Sequence, residues 1–246
     1  MLRDFEDIYA LAAARKGGVA ALEEILAETP TVDASVVARL TDDRVLSRMT
    51  HRIFAAGFSY LTIDSKWPAF ETAFRGFDPR ACAAMSEAHF DALMADRNFT
   101  RNGPKVQAVM RNARFLLDLA AEHGSAAKFF AAWPDSDFIS LVAIVRKRGS
   151  YMGGETAMRF IRALGKPAFV TSPDMIAALI REGVLTGPSG SRRALAMVQA
   201  ALNEWVANWG RDLTVISRVL SMSVGATPPP APLKRRSSSA KPQLFR

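Results

Sequence analysis

Apolar residues recur at intervals of three and four along almost the whole chain, and no stretch sustains the strict alternation of β-branched residues that marks a half-buried strand. The pattern predicts an all-α protein. Helices are expected near residues 4–15, 18–28, 33–40, 42–59, 67–75, 79–84, 87–95, 104–122, 125–132, 136–148, 154–164, 173–182, 191–208 and 212–223. Their starts are marked by hydroxyls that can accept an orphan amide hydrogen bond: Ser86 before "EAHFDALM", Ser172 before Pro173, and Ser191 before "RRALAMVQAALNEW". Gly76, Gly103, Gly124, Gly149, Gly183 and Gly210 fall at ends or joints, where positive φ is tolerated. Segment lengths are too uneven for a solenoid.

The 246 residues are enough for one large domain or two lobes around a cleft. A folded region over 1–225 and a disordered basic tail over 226–246 are expected, because "TPPPAPLKRRSSSAKPQLFR" is too rich in proline, serine and charge to assemble a core. No apolar run approaches the roughly 20 residues of a membrane span. The first residues carry Asp4, Glu6 and Asp7 where a secretory signal carries positive charge. A soluble, cytoplasmic protein is therefore expected. The single cysteine, Cys82, excludes an internal disulfide and any cysteine-rich zinc site, and reads as a space-filling residue.

The formal net charge of +8 and the pI of about 10.1 favour a polyanionic partner such as nucleic acid. Lys234, Arg235, Arg236, Lys241 and Arg246 account for five of those charges, so the folded part is only mildly basic. Its cations must cluster to matter. One cluster precedes a glycine-rich break: "KRGSYMGGETAMRFIRALGKPAFVTSPD", residues 147–174, reads as a helix end, a hairpin, a second helix and a third opening at Ser172. Gly149, Gly153 and Gly154 leave backbone amides uncovered where the next helix presents its positive dipole end, with Thr156 in its first turn, and Arg146, Lys147 and Arg148 add charge. Such a bend grips a phosphate; equally, it is a tight turn between two helices.

Residues 55–120 contain Ala56 to Tyr60 ("AGFSY"), Ala73 to Pro79 ("AFRGFDP") and Arg101 to Ala113 ("RNGPKVQAVMRNA"). In that order they resemble the bacterial DNA 3-methyladenine glycosylase I family, with looser similarity to about residue 170. The resemblance implies a two-lobed helix-hairpin-helix glycosylase fold with a cleft between its lobes. It also implies excision of an alkylated purine, 3-methyladenine in the family, from double-stranded DNA after base flipping. A monomeric, monofunctional hydrolase associated with the nucleoid is expected, with no cofactor and no membrane partner.

The resemblance also assigns roles. Asp174 takes the place of the catalytic carboxylate, which, buried against the deoxyribose, stabilises an oxocarbenium-like transition state and orients water. It is also an ordinary acid in a first helical turn. Glu155 stands where lyase relatives place a nucleophilic lysine, so water is the expected nucleophile. Phe58, Tyr60 and Trp67 are pocket candidates for stacking a base, with Phe54 and Phe58 also suited to the core, and Tyr60 stands where the family usually has tryptophan. Tyr60 and Trp67 are expected on or near a turn. Arg52 stands where the family has a base-reading glutamate; it suits a neutral base or a phosphate, or a solvated helix face. Lys105, with Arg101 and Asn102, is a second phosphate candidate or else a surface lysine, and the loop "TGPSGSRR" with Arg192 and Arg193 is a weaker one. The family's structural zinc needs two cysteines and two histidines, whereas His51, His89 and His123 are scattered and Cys82 is alone, so no metal is expected. Two other readings fit the same chain: a non-catalytic protein that binds damaged or bent DNA, and a helical regulatory domain without DNA affinity.

Overall fold

A computed structural model describes residues 2–57, 60–96, 102–187 and 190–225. Fourteen α-helices and no strand occur among them: α1 (Phe5–Lys16), α2 (Val19–Ala27), α3 (Ala34–Ala38), α4 (Asp42–Ala55), α5 (Tyr60–Ala73), α6 (Pro79–Ala83), α7 (Glu87–Ala95), α8 (Gly103–His123), α9 (Ala126–Ala132), α10 (Phe138–Arg148), α11 (Thr156–Ala163), α12 (Pro173–Arg181), α13 (Arg192–Trp209) and α14 (Leu213–Met222). The tail over 226–246 lies outside the described residues.

Apolar spacing becomes burial directly. In α8 the buried positions 105, 106, 108, 109, 112, 113, 115, 116 and 119 trace one stripe of a 3.6-residue helix. The expected serine caps form: Ser86 Oγ accepts from the His89 amide, Ser172 Oγ from Met175, and Ser191 Oγ from Ala194. The chain's two ends share one group of helices, in which α1 packs on α2, α13 and α14, and α12 packs on α14. Phe5 seals that group, its ring 5.6 Å from Trp205 and 4.7 Å from Trp209. A second group forms around α8, which carries α4, α6 and α9, while α3 covers α9 and α5 lies on α4. The groups join where α11 meets α4 and α10 meets α13, so the α10–α11 hairpin sits on the bridge between them.

Three local expectations are corrected. α4 stops at Ala55 instead of running to residue 59, because Gly57 takes a positive φ of 85° that a helix cannot continue through. α5 then begins at Tyr60, seven residues before the expected start, so Trp67 lies inside a helix and not on a turn. Pro68 looks like a first-turn proline, yet it sits within α5, where its missing N–H forgoes one helical bond. Gly149 has φ −83°, so backbone freedom does not explain it. A Cβ there would lie 2.6 Å from the Val145 carbonyl oxygen and 2.8 Å from Met152 Cγ, and close approach is the reason for glycine.

Candidate nucleic-acid interface

The hairpin is built from its anchors outward. Met152 is buried and plugs the bend into the core, while Tyr151, Gly153 and Gly154 are exposed. Gly154 takes φ 53° and Tyr151 takes φ 59°, an uncommon backbone for a side chain with a Cβ. Asn112, fully buried on α8, grips the entry: its Oδ1 accepts from the Ser150 amide at 2.7 Å and its Nδ2 donates to the Ser150 carbonyl at 3.0 Å. The Thr156 amide donates to the Gly153 carbonyl at 3.1 Å as α11 starts. Among the described residues, the five amides from Tyr151 to Glu155 donate to no acceptor. A run of unbonded amides ahead of a helix start is a donor set suited to an anion.

The flanking cations are less available than their sequence suggests. Arg148 pairs with Glu122 at 3.1 Å and lies 5.1 Å from the centre of the Phe115 ring, so it is drawn toward α8. Arg146 donates to the Gly154 carbonyl, bracing the bend. Lys147 is exposed.

Lys105 corrects the surface-phosphate expectation. Its side chain is buried, and Nζ donates to the Ala56 carbonyl at 2.9 Å and toward the Phe54 carbonyl at 3.4 Å, with the Phe54 ring 5.6 Å away. Those carbonyls lie at the α4 C-terminus, where a cation also meets the negative dipole end. Burial lowers the lysine's pKa from its ordinary value.

Trp67 is half-buried, stacked at 13° on both Phe70 (5.0 Å) and Phe77 (5.3 Å), with His51 edge-on at 4.8 Å. It therefore belongs to an aromatic stack at the edge of the core, to which Phe54 adds an edge-on contact with Phe70. Phe58 lies outside the described residues, as does the Tyr60 side chain, although Tyr60 opens α5. Asp174 is exposed in the first turn of α12, in contrast to the buried carboxylate expected. Arg101 and part of the 186–193 loop also lie outside the described residues.

A run of arginines escaped the sequence reading. Arg44, Arg48 and Arg52 repeat at four-residue spacing on α4, which places them on one face, and that spacing was the available signal. Arg44 pairs with Glu71 through two bonds of 2.8 and 3.0 Å, and Arg48 donates to the Ala163 carbonyl at the end of α11. Arg162 is largely buried, donating to the Ala168 carbonyl at 2.8 Å and Ser217 Oγ at 3.0 Å. Burial holds its pKa down to about 9, with Arg159, Arg218 and Arg52 adding repulsion against a smaller pull from Asp212. Arg52 is thus close enough to Arg162 to add the smallest of these repulsions.

His51 is bound to Asp64, His89 to the Ala73 carbonyl, and Cys82 donates to the Phe74 carbonyl. Among the described residues no three such groups cluster to hold a metal ion. No described helix is long and apolar enough to cross a membrane.

The described residues form an all-helical scaffold with a glycine-rich hairpin between α10 and α11. Residues 36–163 match the family model for methyladenine glycosylase, and the chain belongs to that family. It is 36% identical over 64 residues to DNA-3-methyladenine glycosylase 1 of Escherichia coli, covering 26% of this chain and 34% of the relative. With DNA-3-methyladenine glycosylase of Haemophilus influenzae the figures are 34% over 62 residues, 25% and 34%. The matched stretch thus spans about a third of these relatives' own length. A solved structure of 3-methyladenine DNA glycosylase I from Staphylococcus aureus superposes with a TM-score of 0.46 at 24% identity, covering 51% of this chain and 77% of that one. The family match holds α4, α8 and the hairpin; Asp174 lies beyond it.

Proposed function

We propose that the protein is a monofunctional DNA glycosylase that hydrolyses the N-glycosidic bond of an alkylated purine, with 3-methyladenine as the family's substrate. The observation that carries this reading is the hairpin within the family match, whose amides from Tyr151 to Glu155 donate to no acceptor among the described residues. Those amides and the positive end of α11 hold a backbone phosphate while the nucleotide leaves the stack. Tyr60 and Phe58 are taken, from the resemblance, as the stacking partners of the extruded base. Asp174 places negative charge near the sugar as the C1′–N bond breaks and its electron pair leaves with the base, which departs neutral; water adds at C1′ and its proton passes to solvent. A cationic alkylated base leaves readily, so modest electrostatics suffice.

A second reading rests on a specific observation. Asp174 is exposed and outside the matched residues, which favours a non-catalytic protein that binds damaged DNA on the same scaffold. Incubating methylated duplex with wild type and with Asp174→Asn separates the two. Free base released by wild type and lost in the variant, at equal duplex affinity, is the expected result. Binding without release by wild type refutes catalysis, and binding with no steep salt dependence refutes the phosphate grip.

A further inference from the structure

α8 carries two buried polar side chains seven residues apart. Lys105 is 8% exposed and Asn112 is 0% exposed, and both lie on the stripe that faces the core. Seven residues are two helical turns, so the two side chains point the same way about 10 Å apart along the axis. Each one bonds main chain at or just beyond a helix end. Lys105 holds carbonyls at the end of α4, immediately before the turn at Gly57. Asn112 takes both the amide and the carbonyl of Ser150, immediately after the end of α10.

The two attachments differ in kind. A lysine ammonium is a point donor that fixes how far a helix end can stray. An asparagine amide that both donates and accepts on one residue fixes the orientation of that backbone as well as its place. Gly149 packs against Val145 and Met152 with no room for a Cβ, so the hairpin has little slack with which to absorb an error at Ser150.

We infer that Lys105 and Asn112 are positioning residues: together they use α8 as a rigid bar that sets the base-pocket turn and the phosphate-gripping hairpin at a fixed separation. The inference rests on the proposed function for what the two loops do. The hold itself stands on the hydrogen bonds. It also gives "GPKVQAVMRNA" a physical meaning, since its lysine and asparagine each serve one half of the site and the apolar residues between them seat the bar in the core.

The test uses the full chain with Asn112→Ala, the nearly isosteric Asn112→Asp, and Lys105→Met. Asn112→Asp keeps the acceptor for the Ser150 amide but removes the donor to its carbonyl. Three quantities are read: hydrogen exchange at the Ser150 amide, affinity for undamaged duplex with its salt slope, and single-turnover release of 3-methyladenine. In Asn112→Ala, Ser150 should lose protection while α13 and α14 keep theirs, and duplex affinity should fall by on the order of 10- to 100-fold with a shallower salt slope. In Lys105→Met, duplex affinity should hold and the release rate should fall by a similar factor. A purely structural role would lower stability in both and leave the affinity of the folded fraction unchanged, and that result overturns the inference. Unchanged Ser150 protection in both Asn112 variants overturns it too, whatever the protein does to DNA. Loss of protection in a protein whose wild type neither binds duplex nor releases base sinks the proposed function and leaves the hold intact.

Discussion

The three hairpin glycines lie within six residues, yet the structure assigns each a different cost of gaining a methyl group. At Gly149 the backbone conformation is ordinary, but the new Cβ would sit 2.6 Å from a main-chain oxygen that α10 holds in place and 2.8 Å from Met152 Cγ. Only the methionine can yield. Overpacking of this kind costs about 1–3 kcal/mol, and the fixed oxygen puts Gly149→Ala toward the upper end. At Gly154 the Cβ meets nothing within 4 Å, but φ is +53°, so alanine pays the left-handed penalty of about 1–2 kcal/mol. At Gly153 there is open space and no positive φ, so alanine is neutral or stabilises by up to about 1 kcal/mol through the unfolded chain. Urea unfolding should rank the variants Gly153→Ala, Gly154→Ala, Gly149→Ala from most to least stable. Under the proposed function, Gly153→Ala also places a methyl on the exposed face of the hairpin, so it should weaken duplex binding while keeping full stability. A Gly149→Ala protein as stable as wild type would refute the packing argument.

Further outcomes follow from burial and charge. The Arg44 guanidinium, bonded twice to Glu71, holds that carboxyl below its ordinary value of 4.5. Glu71 therefore contributes stability that is complete above its unfolded pKa and lost as pH falls through the lower folded one. The pair is partly exposed, so Glu71→Gln should cost under about 1 kcal/mol at pH 7. The gap should close in acid, and a gap that widens below pH 4 would contradict the assignment. Cys82 is 1% exposed and burial pushes its thiol up to about 12. Native protein at pH 8 should alkylate with iodoacetamide at least ~10-fold more slowly than urea-unfolded protein, with equal rates excluding the buried position.

Helix periodicity, serine caps and the hairpin's place were legible because each is written within a few neighbouring residues. Ser172 caps α12 through the Met175 amide, three positions along. The start of α5 was not, since "AAGFSYLTIDSKWP" offers Pro68 as a plausible first-turn proline while the helix begins at Tyr60. Lys105 and Asn112 were visible as letters but not as anchors. Their partners, at Ala56 and Ser150, lie 49 and 38 residues away, and a side chain's bond to distant main chain leaves no local pattern. Arg162 was missed for a similar reason: its carbonyl and hydroxyl acceptors come from a loop and from α14, 55 residues on.

Under the proposed function, Arg52 decides which base the pocket tolerates. It stands near the end of α4, and after burial its charge adds a small part of the repulsion that lowers the pKa of Arg162. A cationic purine about 8 Å from one unit charge, at an effective dielectric of about 20, meets roughly 2 kcal/mol of repulsion, close to a 30-fold penalty. A neutral alkylated purine meets none of it and offers ring nitrogens as acceptors. Replacing the cation with a carboxylate reverses the sign and doubles the charge change. Arg52→Glu should therefore raise release of 3-methyladenine relative to a neutral alkylated base by at least ~30-fold, an effect that shrinks as salt is added only to the extent that the pocket is open to solvent. Competition assays on duplexes carrying each lesion read that ratio directly. An unchanged ratio in a folded, DNA-binding Arg52→Glu protein would place Arg52 away from the base and return it to the scaffold, as a helix-face cation with no say in substrate choice.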